Sequence, residues 1–216
     1  MHPNVVLLEN SLLGISDGTM TFDCFREITG IKSMIAANEV LKYYLDRGIG
    51  KRPHKALLSF SSTDRLKASI LAVRLGGDIV KISQYLSWKD FERFASEILL
   101  NCGFRTMNNV RLTKPSAEID IVATKSHVGL SIDCKHWACD RRQGLIVYTR
   151  KQIQRTERLI GSSIEFKKVV PMLLTIFPNH QLYASSAVPI VDINKFRGFI
   201  NELESNMDKV FCICRD

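Results

Sequence analysis

Apolar positions recur at two different periods along this chain, and the change between them falls near Leu86-Ser87. Ahead of that point the spacing is mostly helical. Val5 to Leu13 reads as a short apolar helix, ended by Gly14 and the Asp17-Gly18 turn. Thr21 is placed to cap the next helix, which carries Phe22, Phe25 and Ile28 on one face and breaks at Gly30. A third helix runs from about Ser33 to Arg47 with Met34, Ala37, Leu41 and Leu45 facing inward, and Gly48 sits where a left-handed cap belongs. Gly50-Lys51-Arg52-Pro53-His54-Lys55 is a basic loop leading into strand-like Ala56 to Phe60. Ser62 or Thr63 opens another helix holding Leu66, Ile70 and Val73, closed by Gly76-Gly77, and one more short helix fills Asp78 to Leu86.

Behind Ser87 helix and strand signals alternate. Ser87-x-x-Asp90 has the form of a capping box, and Phe91, Phe94, Ala95, Ile98 and Cys102 make an apolar stripe ended by Gly103. Two strands are predicted at Ala117 to Thr124 and Val128 to Trp137, then a basic helix around Tyr148 to Ile160. Buried strands follow at Val169 to Phe177 and Ala187 to Val191, with a closing helix over Asn194 to Met207. This order predicts an α/β core with a central mixed sheet flanked by helices over residues 87–216. Residues 1–86 form a separate, mainly helical domain. Two helices around a glycine turn, then a basic loop, have the pattern of a winged helix-turn-helix. Lys51, Arg52 and Lys55 are its candidate phosphate contacts. The plain alternative is a helical domain that only packs or dimerises.

Bulk properties narrow the function. The 216 residues carry a net charge of +8, which favours polyanionic partners, nucleic acid first and an anionic membrane surface second. No apolar run approaches the ~18 residues of a membrane span. The opening MHPNVVLLENS has neither the basic start nor the small-residue site of a secretory signal, so a cytoplasmic address is expected. The six cysteines form no CxxC pair and the histidines show no zinc-ligand spacing, so reduced thiols are expected. Cys212 and Cys214 read as alternate residues of a strand rather than a metal pair.

Candidate chemistry lies on the two central strands. Alternation puts Glu118 and Asp120 on one face of the first, with Ile119 and Ile121 opposite. On the second, Asp133, Lys135 and Trp137 share a face while Ile132, Cys134 and His136 take the other. Charges in the middle of sheet strands are costly unless paired, solvated or bound to metal. Two adjacent carboxylates suit a hard dication such as Mg²⁺, and a lysine two residues away can orient or activate an attacking water.

Asp120, twelve intervening residues, then Asp133-Cys134-Lys135 resembles the D…(D/E)xK signature of the PD-(D/E)xK restriction-endonuclease-like superfamily. The preceding Asp90-Phe91-Glu92-Arg93-Phe94-Ala95…Cys102-Gly103-Phe104 is similar to the first helix of Mrr-type restriction enzymes and archaeal Holliday-junction resolvases. Ile119 stands where the motif's proline often sits, and Asp133 takes the position open to Asp or Glu. The resemblance implies Glu92, Asp120 and Asp133 as metal ligands for Mg²⁺ or Mn²⁺, and Lys135 as the catalytic lysine. It implies a metal-dependent endonuclease acting on DNA, with a homodimer expected because a duplex has two strands to cut. Arg141, Arg142, Arg150 and Lys151 are candidate phosphate contacts beside the site, Trp137 is a candidate base-stacking or rim residue, and Arg155 and Arg158 extend the basic run. Gln152 and Gln154 lie where related nucleases carry a supporting glutamine. The rival readings are a DNA-binding regulator with a vestigial nuclease fold and an RNA-processing nuclease.

Overall fold

The structure is a computed structural model that describes residues 2–113, 115–136, 142–162, 166–177 and 188–215, without the side chains of residues 142, 143 and 145. The chain divides into two units, Met1–Asp90 and Phe91–Asp216. In the first, α1 (Val5–Ser11) and a 3-10 turn lead to β1 (Gly18–Thr21), α2 (Phe22–Thr29) and α3 (Met34–Leu45). A hairpin of β2 (Lys51–His54) and β3 (Leu57–Phe60) follows, then α4 (Asp64–Arg74) and α5 (Ile79–Gln84). The strands form an antiparallel sheet in the order β1-β3-β2.

Local chemistry explains most of these boundaries. Thr21 accepts the N–H of Cys24 at 3.1 Å and Ser33 that of Ala36 at 3.2 Å, while Asp78 accepts from both Val80 and Lys81. Phe25, Leu41, Tyr44, Leu58 and Ile82 are at the centre of this unit's core. Two expected inward residues are not inward: Ile28 is 46% and Met34 is 56% exposed. The buried stripe of α3 is Ala37, Val40, Leu41 and Tyr44 instead, so the apolar phase starts one turn later. The expected basic loop is itself a strand, β2, with all four residues exposed. It is held by pairing to β3 rather than by burial, and therefore carries no alternating apolar signal; β1 escapes detection for the same reason. Gly50 opens the hairpin at φ 75°, and an added Cβ there would lie 2.6 Å from the Phe60 ring.

The second unit is built on α6 (Trp88–Asn101), whose first residues belong to the preceding unit. Ser87 Oγ donates to Asp90 Oδ2 at 2.7 Å and accepts the Asp90 N–H at 3.2 Å, starting the helix as the capping pattern predicts. After it come β4 (Arg105–Leu112), β5 (Ala117–Lys125), β6 (Val128–Lys135), α7 (Arg142–Ser162) and β7 (Lys168–Thr175). β8 (Ile190–Asp192), α8 (Ile193–Glu202), a 3-10 turn and β9 (Ile213–Cys214) complete it.

Among the described residues these strands form one six-stranded mixed sheet, β4-β5-β6-β7-β8, with β9 also on β7. The first three run antiparallel, whereas β7 and β8 are parallel to β6. The α/β core with a mixed sheet and flanking helices is therefore present. A parallel step requires a crossover, and α7 supplies it between β6 and β7. Ile119, Val122, Leu159, Ile160, Phe166 and Val169 form a buried cluster here. β4 was not expected: Arg105 to Leu112 is an edge strand, mostly exposed, with Asn108-Asn109 at its centre. The helix α7 begins earlier than its apolar pattern and α8 ends at Glu202. Of the strand expected at Ala187 to Val191, Ala187 lies outside the described residues. Among the described residues no helix is long and apolar enough to cross a membrane.

Candidate active site

β5 and β6 are paired from Lys125↔Val128 to Ile121↔Ile132, where their ladder stops. One step further the same register brings Asp120 opposite Asp133. Beyond the last pair a side chain takes over from the ladder: the Cys134 N–H donates to Asp120 Oδ2 at 2.7 Å. Meanwhile β6 continues along β7 as far as Lys135↔Thr175. The parting of β5 from β6 thus opens the sheet where the acidic residues sit.

Asp120, Asp133 and Lys135 are all buried. Lys135 Nζ lies 2.5 Å from Asp133 Oδ2, and Arg155 Nη1 lies 3.0 Å from Asp133 Oδ1. Both oxygens of Asp133 are thereby matched to a cation. Burial first and the Asp133 charge second lift the Asp120 carboxyl to about 6, against the opposing pull of the Cys134 N–H, Lys135 and Arg155.

The cover over this strand face is α7. Tyr148, Gln152 and Arg155, spaced for one helix face, meet Ser131, Asp133 and Lys135, spaced for one strand face. Gln152 Nε2 donates to Ser131 Oγ at 2.8 Å, and the Lys135 ammonium stands 4.7 Å from the Tyr148 ring centroid. The sequence places Arg155 only in the basic run of possible phosphate contacts, not on Asp133, and gives Tyr148 no site role.

Glu92 is buried on α6. Burial pushes the Cys134 thiol well up, and the charges of Asp120, Glu92 and Asp133 add to the rise. The neighbour of Glu92 on β4 is Asn109, whose amide end faces two carboxylates; assigned with its nitrogen toward them, the only orientation that satisfies both groups, it donates to Glu92 Oε2 at 3.3 Å and to Glu118 Oε1 at 3.0 Å. His136 meets the Phe91 ring edge-on, with centroids 5.8 Å apart.

The remaining expected contacts are dispersed. Arg150 and Lys151 are exposed on α7, whereas Arg158 is committed to the carbonyls of Thr113 and Pro115. Trp137, Arg141 and the Arg142 side chain lie outside the described residues. Lys51, Arg52 and Lys55 are exposed on the hairpin of the first unit. There Arg52 donates to Lys55 O and to Asn38 Oδ1, with its guanidinium 5.2 Å from the Phe22 ring.

Among the described residues no three His, Cys, Asp or Glu side chains are grouped as a ready metal cage. Register brings Asp120 and Asp133 together, while Glu92 lies against Asn109, which stands opposite Asp120 in the β4–β5 register. Two neighbouring carboxylates, one of them reluctant to ionise beside the other, still form a donor set that fits a hard dication. Mg²⁺ typically takes one or two carboxylates and fills its other positions with water and substrate phosphate.

Residues 83–168 match the family model Mrr_cat, restriction endonuclease. No curated protein matches the chain. Among solved structures, protein VC1899 from Vibrio cholerae aligns with a TM-score of 0.49 and 12% identity, over 94% of this chain and 51% of that one. Can2 from Sulfobacillus thermosulfidooxidans, in complex with cyclic tetra-adenylate, aligns with a TM-score of 0.38 and 17% identity, over 77% and 44%. The chain spans about half the length of either, and neither likeness is deep enough to bear on activity.

Proposed function

From the premise that residues 83–168 are a restriction-endonuclease domain of the Mrr type, we propose that this protein is a metal-dependent endonuclease that hydrolyses DNA phosphodiesters. The observation that carries the proposal is the meeting of Asp120 and Asp133 at the end of the β5–β6 ladder, with Lys135 on Asp133.

Asp120 and Asp133 would hold Mg²⁺ or Mn²⁺, with Glu92 as the acidic partner on the α6 side. A dication held by these carboxylates would supply Lewis-acid polarisation of the phosphoryl oxygens and a more acidic water. Lys135 orients the attacking water and offsets charge that develops on the phosphate. Arg155 and Gln152 fix the strand that carries Asp133 and Lys135. The buried surroundings strengthen each of these interactions relative to water.

The net charge of +8 supports a polyanionic substrate. The helix order of the first unit, with its exposed basic hairpin, supports a winged helix that engages DNA through Lys51 and Lys55. Two cuts in a duplex suit a homodimer. The test is cleavage of matched DNA and RNA substrates, including branched and single-stranded forms, with Mg²⁺ or Mn²⁺. Wild type should cut DNA, and Lys135→Ala should lose roughly 10²- to 10⁴-fold in rate, the typical worth of a positioned proton-transfer group, while still binding DNA. An undiminished rate in Lys135→Ala rejects the site; cleavage of RNA alone rejects the substrate. A wild-type protein that binds DNA and never cuts it is a regulator.

A further inference from the structure

Asn109 interrupts β4 at a telling place. The β4–β5 register runs through Asn108↔Ile121 and resumes at Val110↔Ile119, skipping the position that faces Asp120. Its φ of 55° lies in the left-handed region, which asparagine tolerates better than most residues but which still costs about 1 kcal/mol. Glycine would occupy that conformation with less strain. What glycine lacks is the amide, and the amide joins two carboxylates from different elements: Glu92 of α6 and Glu118 of β5.

The neighbouring contacts keep that amide on target. Ser96 Oγ donates to Asn108 Oδ1 at 3.1 Å and accepts from Asn108 Nδ2 at 2.9 Å. Ser96 and Glu92 are four residues apart, on one face of α6. Consecutive asparagines of β4 therefore grip consecutive turns of α6, the first through Ser96 and the second through Glu92. Strain held beside a reactive centre, with a specific contact that needs it, points to function.

We infer that Asn109 is a positioning residue that holds Glu92 at the edge of the Asp120–Asp133 pair and thereby tunes metal affinity; the inference rests on the nuclease reading above. A structural role limited to kinking an exposed edge strand is the competing account, and it needs only the backbone conformation. Replacing Asn109 by glycine separates the two, because glycine keeps the conformation and removes the amide.

The experiment is Mn²⁺ binding to the full chain, followed by electron paramagnetic resonance of the free ion. It compares wild type, Asn109→Gly, Glu92→Gln, the double variant and Asp120→Asn, with melting of each in chelator. Asn109→Gly and Glu92→Gln should each bind Mn²⁺ about tenfold more weakly, the usual order for loss of a group that orients a metal ligand. The double variant should be no weaker than Glu92→Gln alone, since Asn109 acts through Glu92. The metal-free melting of Asn109→Gly should hold at the wild-type value. Wild-type Mn²⁺ affinity in Asn109→Gly overturns the inference, as do losses that add in the double variant or that follow a fall in melting temperature. Unchanged affinity in Asp120→Asn overturns the nuclease reading itself.

Discussion

The backbone N–H of Cys134 donates to Asp120 Oδ2 at 2.7 Å, so one carboxylate both terminates a strand ladder and stands opposite Asp133 in the proposed site. That double duty has a cost in stability. Asp120 is buried and its carboxyl is raised to about 6 from the ordinary 3.8. A raised acid favours folding fully below its unfolded value, and the benefit is lost as pH climbs through the folded one.

Asp120→Asn keeps an acceptor for Cys134 and removes the charge. In chelator at about pH 7.5 it should be more stable than wild type by on the order of 2–3 kcal/mol, with the difference vanishing below about pH 4. Denaturant unfolding at several pH values measures this. A variant less stable than wild type at every pH would mean that the ionised carboxylate is a net stabiliser.

Arg155 makes the complementary prediction. Its guanidinium holds Asp133 Oδ1 at 3.0 Å and is about a quarter exposed, while the Asp133 side chain is almost wholly buried. Breaking a buried ion pair typically costs ~3–5 kcal/mol. Because Lys135 remains on the other oxygen and Arg155 is partly solvated, Arg155→Met should cost less, about 2 kcal/mol in urea unfolding. Arg155→Lys should recover part of that. No loss in Arg155→Met would show the pair to be energetically idle.

The hairpin of the first unit separates two kinds of cation. Lys51 and Lys55 are exposed, so Lys51→Glu and Lys55→Glu should weaken DNA binding without lowering the melting temperature. The slope of affinity against salt should fall by ~1 for each phosphate that is no longer neutralised. Arg52 is tied to Asn38 and to the Lys55 carbonyl, so Arg52→Ala should lower the melting temperature as well. Fluorescence anisotropy at several salt concentrations, paired with thermal melts, distinguishes them. Equal melting losses in all three would contradict the distinction.

How much of this was readable from the chain depends on distance along it. Ile119-Asp120-Ile121 and Ile132-Asp133-Cys134 carry their strand phase in neighbouring residues, and their pairing across a tight turn at Ser126-His127 follows from proximity. Arg155 is 22 residues beyond Asp133. The spacing of Tyr148, Gln152 and Arg155 was visible, but which face of α7 covers the sheet is decided by the crossover to β7. Asn109 gave no signal, because its role needs a left-handed backbone and a ladder break inside a strand with no apolar alternation. Met34 and Ile28 misled for the opposite reason: each fits a helical period whose phase is settled only by packing.

Asp133 arrives at its place in the fold already balanced by Lys135 and Arg155. Folding therefore does not wait for a dication, in contrast to small domains that collapse when their ion is stripped. Dialysis against a chelator should yield an inert but intact protein whose circular dichroism is unchanged. On the proposed nuclease reading, Mn²⁺ added afterwards should restore cutting without a refolding delay.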